Sequence, residues 1–440
     1  MTKILNIEIN KDLNINNIGS IFFFIGIFLL ASAVGLGIIF LFIATTISFF
    51  NSSKFFKDKW NYPFLLGSFL MIISTIVHFN NSENNLLSSW DPNLSLIGLT
   101  NWIPFFFAFW GLQKYLDSPK KRIITAKILI CGSIPVIFSG ILQLFNVNGP
   151  FQLLNGLIVW FQKPISDVGS LSGLFNNQNY AGLWMVMVWP FCLSELMKKR
   201  KELFKKYIVM LICLVFVIFI SLTDSRNAIL GLIISSPIVL GSSSLIWYLP
   251  SIGIGLFLLA LTVVPIFPAE LQAFMKSIVP ARIYTLFPEI GFSYLKSYPR
   301  INKWSAAISF IAERPLFGWG AASFPILYQL KSGDWFGHSH NLPFELALSY
   351  GIFPTLIIFS TIFALIIKSS QKLYANRNIQ NNYFKIHQRA WFASTLIFFI
   401  SHLVDIQYFD ARISIFCWIL LAGLRSYLRE DDNNELKLEK

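Results

Sequence analysis

Ile18 to Phe50 reads IGSIFFFIGIFLLASAVGLGIIFLFIATTISFF, 33 residues without a charge. As one helix this run would measure about 50 Å, far more than the roughly 30 Å hydrocarbon core of a bilayer requires. Two segments broken at Ala33-Val-Gly-Leu-Gly37 account for it, since the paired glycines weaken a helix there. Residues Met1 to Ser20 hold acidic and polar groups and no cleavage-site pattern, so the run predicts a retained anchor and not a signal peptide.

Outward from this run the chain stays apolar: 55% of its 440 residues are hydrophobic, only 13% are charged, and 45 are Phe. Stretches near the roughly 20 residues of one crossing fall at 18–33, 34–50, 62–79, 97–116, 123–145, 180–197, 207–223, 228–244, 247–267, 346–368, 390–406 and 411–428. The expected fold is an all-α polytopic membrane protein with about 12 transmembrane helices. It divides into residues 1–267 with helices 1 to 9, a large loop at 268–345, and residues 346–440 with helices 10 to 12 and a tail.

Lys and Arg concentrate on the cytoplasmic side of such proteins. With the N-terminus inside, 25 basic residues face in and 10 face out, and seven of those ten lie in the 268–345 loop, where the rule is weakest. Both termini are therefore expected in the cytoplasm and the long loop outside. The net charge of +13 is largely this topological signal. Its short membrane-flanking patches suit anionic lipid headgroups and argue against nucleic acid. Cys131, Cys192, Cys213 and Cys417 fall in hydrophobic segments without paired spacing, which predicts neither disulfide nor zinc.

Polar chemistry left over from lipid gathers on the outer side. Leu171-Ser-Gly-Leu-Phe-Asn-Asn-Gln-Asn-Tyr-Ala-Gly182 enters a helix with Asn176 and Asn179, residues suited to a turn and cap or to a glycan. Thr223-Asp-Ser-Arg-Asn227 puts Arg226 at the membrane surface, either paired with Asp224 or poised for an anion. In the long loop, Pro299-Arg-Ile-Asn-Lys-Trp304 opens a helical pattern whose apolar stripe is expected at Ile301, Trp304, Ile308 and Ile311. Arg300 enters that helix, Arg314 leaves it, and Pro315 stops it. Gly318 and Gly320 offer a permissive backbone to a large ligand.

His338-Ser-His-Asn341 comes next, and Asn341 with Pro343 marks a helix start. His340 then sits just before a helix N-terminus, whose dipole attracts anions and favours an imidazole able to accept a proton. A metal pair at His338 and His340 is the competing reading, weakened because neither has an acidic or cysteine companion at a usual spacing. The remaining histidines, His78, His387 and His402, are expected to pack within or at the edge of the bundle.

Gly-x-Phe-Asn-x-x-Asn, Ser-Arg at a helix junction, Arg-x-x-x-Trp, Glu313-Arg-Pro-Leu-Phe-Gly-Trp-Gly320, and His-x-His-Asn-x-x-x-Glu follow in that order over about residues 170–355. This order resembles the O-antigen ligase and polymerase superfamily. The resemblance implies a GT-C-like membrane glycosyltransferase that uses no metal or other cofactor. Its donor would be a glycan on undecaprenyl diphosphate at the outer face of the bacterial inner membrane. The acceptor would be the lipid A core for a ligase, a growing glycan for a polymerase, or a protein for the oligosaccharyltransferase relatives.

Residue by residue, the resemblance carries the catalytic histidine to His340, with Gly351 ten positions beyond Asn341. It carries an Arg-x-x-x-Leu motif to Arg226 and Leu230, and further basic positions to Arg300 and Arg314. Pro354 departs from the ligase pattern, which asks for Gly, Thr or Tyr there. The implied mechanism makes His340 the base for an acceptor hydroxyl. Arg226 and Arg314, with Arg300, hold the departing diphosphate, and His338, Asn341, Asn176 and Asn179 contact substrate. A small-anion or bicarbonate carrier is the rival class; it would place charge near the bilayer midplane, whereas these charges gather at one surface.

Overall fold

A computed structural model of the chain describes residues 15–51, 55–80, 90–198, 202–279, 284, 299–375 and 382–438. All twelve apolar segments are helical. The opening run folds as α1 (Ile15–Leu29) and α2 (Val34–Asn51), so two segments form as expected, but the break lies at 30–33 and Gly35 and Gly37 of the expected break at 33–37 are helical within α2. Then come α3 (Asn61–Asn80), α4 (Asn93–Leu99), α5 (Ile103–Gly111), α6 (Pro119–Gly132) and α7 (Ile134–Leu144). The segment at 123–145 is split at Ser133, because Pro135 in the first turn of α7 cannot donate to the turn before it.

A two-stranded antiparallel hairpin, β1 (Phe151–Leu153) and β2 (Ile158–Trp160), interrupts the helices and lay outside the all-α expectation. After it run α8 (Ile165–Val168), α9 (Gln178–Leu196), α10 (Leu203–Leu222), α11 (Arg226–Leu240) and α12 (Leu245–Val263). The long loop contributes α13 (Ala269–Ile278), α14 (Pro299–Glu313) and α15 (Phe324–Ser332). Residues 280–283 and 285–298 of that loop lie outside the described set. The chain finishes with α16 (Leu342–Tyr350), α17 (Ile352–Ala375), α18 (Asn382–His402) and α19 (Ala411–Leu438).

Among the described residues, seven helical stretches are long and apolar enough to cross a membrane: Asn61–Phe79, Asn93–Tyr115, Pro119–Leu144, Leu203–Leu222, Ser242–Val263, Ile352–Ala375 and Ala411–Glu430. The chain is thus a helical, polytopic membrane protein. Helix α9 lies at the centre, with every residue from Ala181 to Glu195 buried, which is why it is apolar all round. Exposed Phe42, Phe50, Phe69 and Phe204 give other helices the apolar outer surface that lipid requires. Cys192, Cys213 and Cys417 are buried, and all four cysteines are free.

Polar groups collect at the two ends of the bundle. At one end Arg425 makes a forked pair with Asp58, with Nε to Oδ2 and Nη2 to Oδ1 both at 3.0 Å, and Arg122 bonds Glu430. Nearby, Glu195 accepts from Tyr383 at 2.7 Å and contacts His387 at 3.2 Å. Such pairing is what makes charge tolerable beside hydrocarbon. At the opposite end the loops are stitched together: Trp160 donates to the Ser32 carbonyl, Arg412 to that of Leu174, Tyr408 to that of Asn101, and Asn341 to that of Leu403.

The long loop has a small core of its own, in which Ala306, Ala307, Phe310 and Ile311 of α14 meet Trp319, Phe324, Leu327 and Tyr328, closed by Ala347 and Leu348 of α16. The expected stripe is corrected here. Ile311 is buried and Trp304 half-buried as expected, but Ile301 and Ile308 are exposed, and α14 buries Lys303, Ala306, Ala307 and Phe310 beside Ile311. Small alanines let α14 lie close to α16, so the helix turns its β-branched edge outward and carries a lysine inward.

Candidate functional site

Asn341 starts α16 as its N-cap: its side-chain oxygen accepts from the Phe344 amide at 3.0 Å, and its amide group donates to the Leu403 carbonyl at 2.9 Å. Both ends of the side chain are therefore engaged within the protein, and Asn341 pins the turn before α16 to the turn after α18. The turn itself is tightened by Glu345, which accepts from the Ser339 amide at 2.9 Å. His340 is held between these fixtures with φ +58, a left-handed backbone uncommon for a non-glycine residue.

Its side chain reaches across the bundle end. His340 Nδ1 lies 2.8 Å from Asp405 Oδ1, and Asp405 also accepts from the Ile406 amide and from Gln407 Nε2, each at 2.9 Å. Burial by itself would raise the Asp405 carboxyl, but the His340 hydrogen bond and the nearby Arg300 charge hold it below the usual carboxylate range. A buried carboxylate at Nδ1 fixes the proton there and leaves Nε2 as the basic nitrogen. That nitrogen is 3.3 Å from Lys303 Nζ. Trp304 Nε1 reaches the His340 carbonyl at 3.4 Å.

His338 stands edge-on to His340 with ring centroids 4.3 Å apart, and its Nδ1 accepts from the His340 amide at 3.2 Å. Burial, then the proximity of His340, lowers the His338 imidazole to about 4. It is thus neutral near pH 7 and acts here as an acceptor that shapes the turn. Arg300 sits one turn before Lys303 on α14, half-buried and within electrostatic reach of His338, Lys303 and Asp405.

Arg226 is the first residue of α11, capped by Ser225, and its side chain is exposed. Its pairing with Asp224 is not found: the Asp224 carboxylate takes the Ser170 hydroxyl instead, and no ion pair of the Arg226 side chain is found among the described residues. The first turns of α9 and α11 touch at Gly182, where a Cβ would stand 2.8 Å from that of Ser225. Tyr180 in the same turn of α9 feels the charges of Asp405, Asp410 and Arg412. Arg226, Tyr180 and the His340–Asp405 pair therefore share one end of the bundle. Asn177, not Asn179, caps α9, accepting from the Asn179 amide at 2.8 Å. Asn176 takes a left-handed turn beside it with φ +52, and its side-chain oxygen is buried without a partner.

Arg314 is not brought to this cluster. It leaves the far end of α14, about 21 Å along the axis from Arg300, and its guanidinium lies 3.9 Å over the Trp319 ring. Gly318 and Gly320 are likewise corrected: the space a ligand would use is filled by the chain itself. A Cβ on Gly318 would overlap the Leu348 carbonyl, and one on Gly320 the Trp90 ring. Ser74 and His78 of α3 bond the Phe317 and Gly318 carbonyls, so this motif is a clamp between the loop and the bundle.

Asp405, Lys303 and Tyr180 are the residues sequence reading missed. Asp405 also removes the spacing argument against a metal, because it supplies the acidic companion: the ligating atoms of His338, His340 and Asp405 all lie within 4.8 Å of one another. The Lys303 ammonium beside His340 and the Arg300 guanidinium nearby nevertheless oppose a divalent cation there. The donor set suits a proton relay next to an anion better than a metal.

Residues 209–359 match the family model described as O-antigen ligase. The matched stretch holds Arg226, Arg300, Lys303, Arg314, His338 and His340, so the resemblance drawn from motif order holds. Asn176 and Asp405 lie outside it. No curated protein matches the chain.

Proposed function

We propose that this O-antigen ligase-like chain transfers a glycan from undecaprenyl diphosphate to an acceptor hydroxyl, without a metal ion, at the outer face of the bacterial inner membrane. In this reading the chain crosses the bilayer twelve times with both termini in the cytoplasm. The end that carries His340 faces out, and the loop at 268–345 is periplasmic. The observation that carries it is the His340–Asp405 pair held at a helix N-terminus, with Arg300 beside it and the exposed Arg226 at the same bundle end.

The chemistry balances as a single displacement. His340 Nε2 takes the proton of the acceptor hydroxyl while its oxygen attacks the anomeric carbon from the face opposite the leaving group. The carbon–oxygen bond to phosphate breaks, and the diphosphate leaves with the electron pair, so the anomeric configuration inverts. Asp405 stabilises the imidazolium that forms. Arg226 and Arg300 take the charge gathering on the diphosphate, for which their forked, permanently charged donors are suited. Arg314 is left out because α14 separates it from the base. Asn176 and Asn179 remain the proposed glycan contacts, Asn176 by virtue of its unpartnered oxygen. His338 and Asn341 shape the turn that presents the base.

A lipid A core acceptor makes the chain a ligase, and a growing glycan makes it a polymerase; Pro354, at odds with the ligase pattern, favours the polymerase or a protein-glycosylating relative. The test is transfer in proteoliposomes with lipid-linked donor. His340→Ala should insert normally and lose transfer. Transfer that survived this change would remove the base assignment.

A further inference from the structure

Lys303 occupies a place that the transfer reaction does not explain. It is 4% exposed. Its ammonium lies 3.4 Å from the Phe336 ring centre and 3.3 Å from His340 Nε2, the nitrogen that the Asp405 bond leaves basic. An ammonium carries only donors, so the contact is a hydrogen bond from Lys303 into the imidazole lone pair. A lone pair so engaged cannot accept the proton of an incoming hydroxyl. As built, the base is capped.

The charged ammonium is disfavoured where it stands. Burial, and then the neighbouring Arg300 charge, lower the Lys303 ammonium, with Asp405 opposing them. Lys303 follows Arg300 by three positions on α14, hence on the same helix face. An anion gripped by Arg300 therefore falls within the sweep of the four-carbon lysine stem. A compact charge on a flexible stem can change partners there, which a planar guanidinium does less readily.

We propose that Lys303 is a donor-sensing latch: its ammonium caps His340 Nε2 in the empty protein and moves onto the diphosphate oxygens when the donor binds, uncovering the base. Lys303 thus contacts the donor directly and gates the base, and addition is ordered, donor before acceptor. The inference rests on the reading above for the identity of the anion, but its test needs no glycan transfer.

The test uses the full chain in detergent with 15N-labelled histidine, five residues in all, and inorganic pyrophosphate as probe. The His340 signal is identified by its loss in His340→Gln. Pyrophosphate should shift the wild-type His340 Nε2 resonance toward the position it already holds in Lys303→Met without ligand. In Lys303→Met the added shift should be much smaller, and pyrophosphate affinity should fall about tenfold for one lost charged hydrogen bond.

The latch is overturned if pyrophosphate fails to bind, binds wild type without moving that resonance, or moves it equally in both proteins. The wild-type titration decides the matter even if Lys303→Met folds poorly. A lysine that only packed the loop would give no pyrophosphate-dependent signal. Transfer that persisted in His340→Ala would sink the catalytic assignment while leaving this spectroscopic result to stand or fall separately.

Discussion

His340 Nδ1 and Asp405 Oδ1 meet at 2.8 Å although 65 positions separate the residues. The bond joins the turn that starts α16 to the turn that ends α18, so the base is oriented by an element that packs late in the sequence. Asp405→Asn keeps the shape but can present its amide to the imidazole and favour the wrong tautomer. Transfer should fall by about 10²–10⁴-fold, more than the loss of about 1–3 kcal/mol of stability expected from the buried donor left facing the amide. A rate within a few-fold of wild type, measured as initial velocity in proteoliposomes, would break the link between this geometry and the chemistry.

The two arginines at opposite ends of α14 should separate cleanly. Arg300→Gln removes a charge beside His338, Lys303 and Asp405, and should raise the donor KM about tenfold. Arg314→Gln removes a guanidinium stacked on Trp319; it should cost about 0.5–1 kcal/mol of stability and leave donor KM unchanged. Equal effects on KM would mean that the diphosphate spans more of α14 than the site described above.

Much of this was legible in local sequence, and the failures have a common cause. The cap at Asn341 was readable because Asn and Pro act on their own neighbours, whereas the break after Leu29 falls before Gly35 and Gly37, which α2 absorbs. His340 and Arg226 were readable for the same reason, each standing at a helix start. Asp405 was hidden inside an apolar window, Leu403-Val-Asp-Ile406, whose hydropathy reads as the tail of a crossing; a lone carboxylate at that depth was the available signal. Lys303 was hidden because helical periodicity sets the spacing of a stripe but not which stripe faces inward when small residues and long ones compete. The metal question turned on the same long-range contact.

His338 makes the turn sensitive to acid. Its folded-state value of about 4 lies below the ordinary 6.5 because burial, then His340, disfavours the charged ring. Between those two pH values the unfolded chain binds a proton that the folded chain does not, so stability is fully present above about 6.5 and declines as pH falls toward about 4. His338→Asn keeps an acceptor where Nδ1 meets the His340 amide and removes the titrating group. The difference in thermal midpoint between pH 7 and pH 4.5 should therefore be smaller in this variant. An unchanged difference would place the acid sensitivity elsewhere.

Gly351 is the position where loop and bundle are most tightly interlocked. It ends α16 with φ +97 and ψ 170, a region essentially reserved for glycine, and a Cβ there would overlap the Leu316 carbonyl. The Ile352 amide donates to Pro315 at 2.8 Å, that of Trp319 to Leu348 at 2.7 Å, and that of Gly320 to Ser349 at 3.1 Å. Residues 315–320 are thus laddered onto 348–352, and the same short helix carries His340 at its other end. Gly351→Ala should cost more than about 2 kcal/mol through backbone strain and displaced carbonyls, and should reduce transfer by moving α16 against α14. Gly35→Ala is the matched control, because nothing lies within 4 Å of its would-be Cβ. In α2 it should be neutral or stabilising by about 0.5–1 kcal/mol. Thermal unfolding in detergent separates the two. A Gly351→Ala protein as stable as Gly35→Ala would show that the ladder does not hold the loop, and that the position of His340 relative to Lys303 and Arg300 is set by the Asn341 and Asp405 contacts alone.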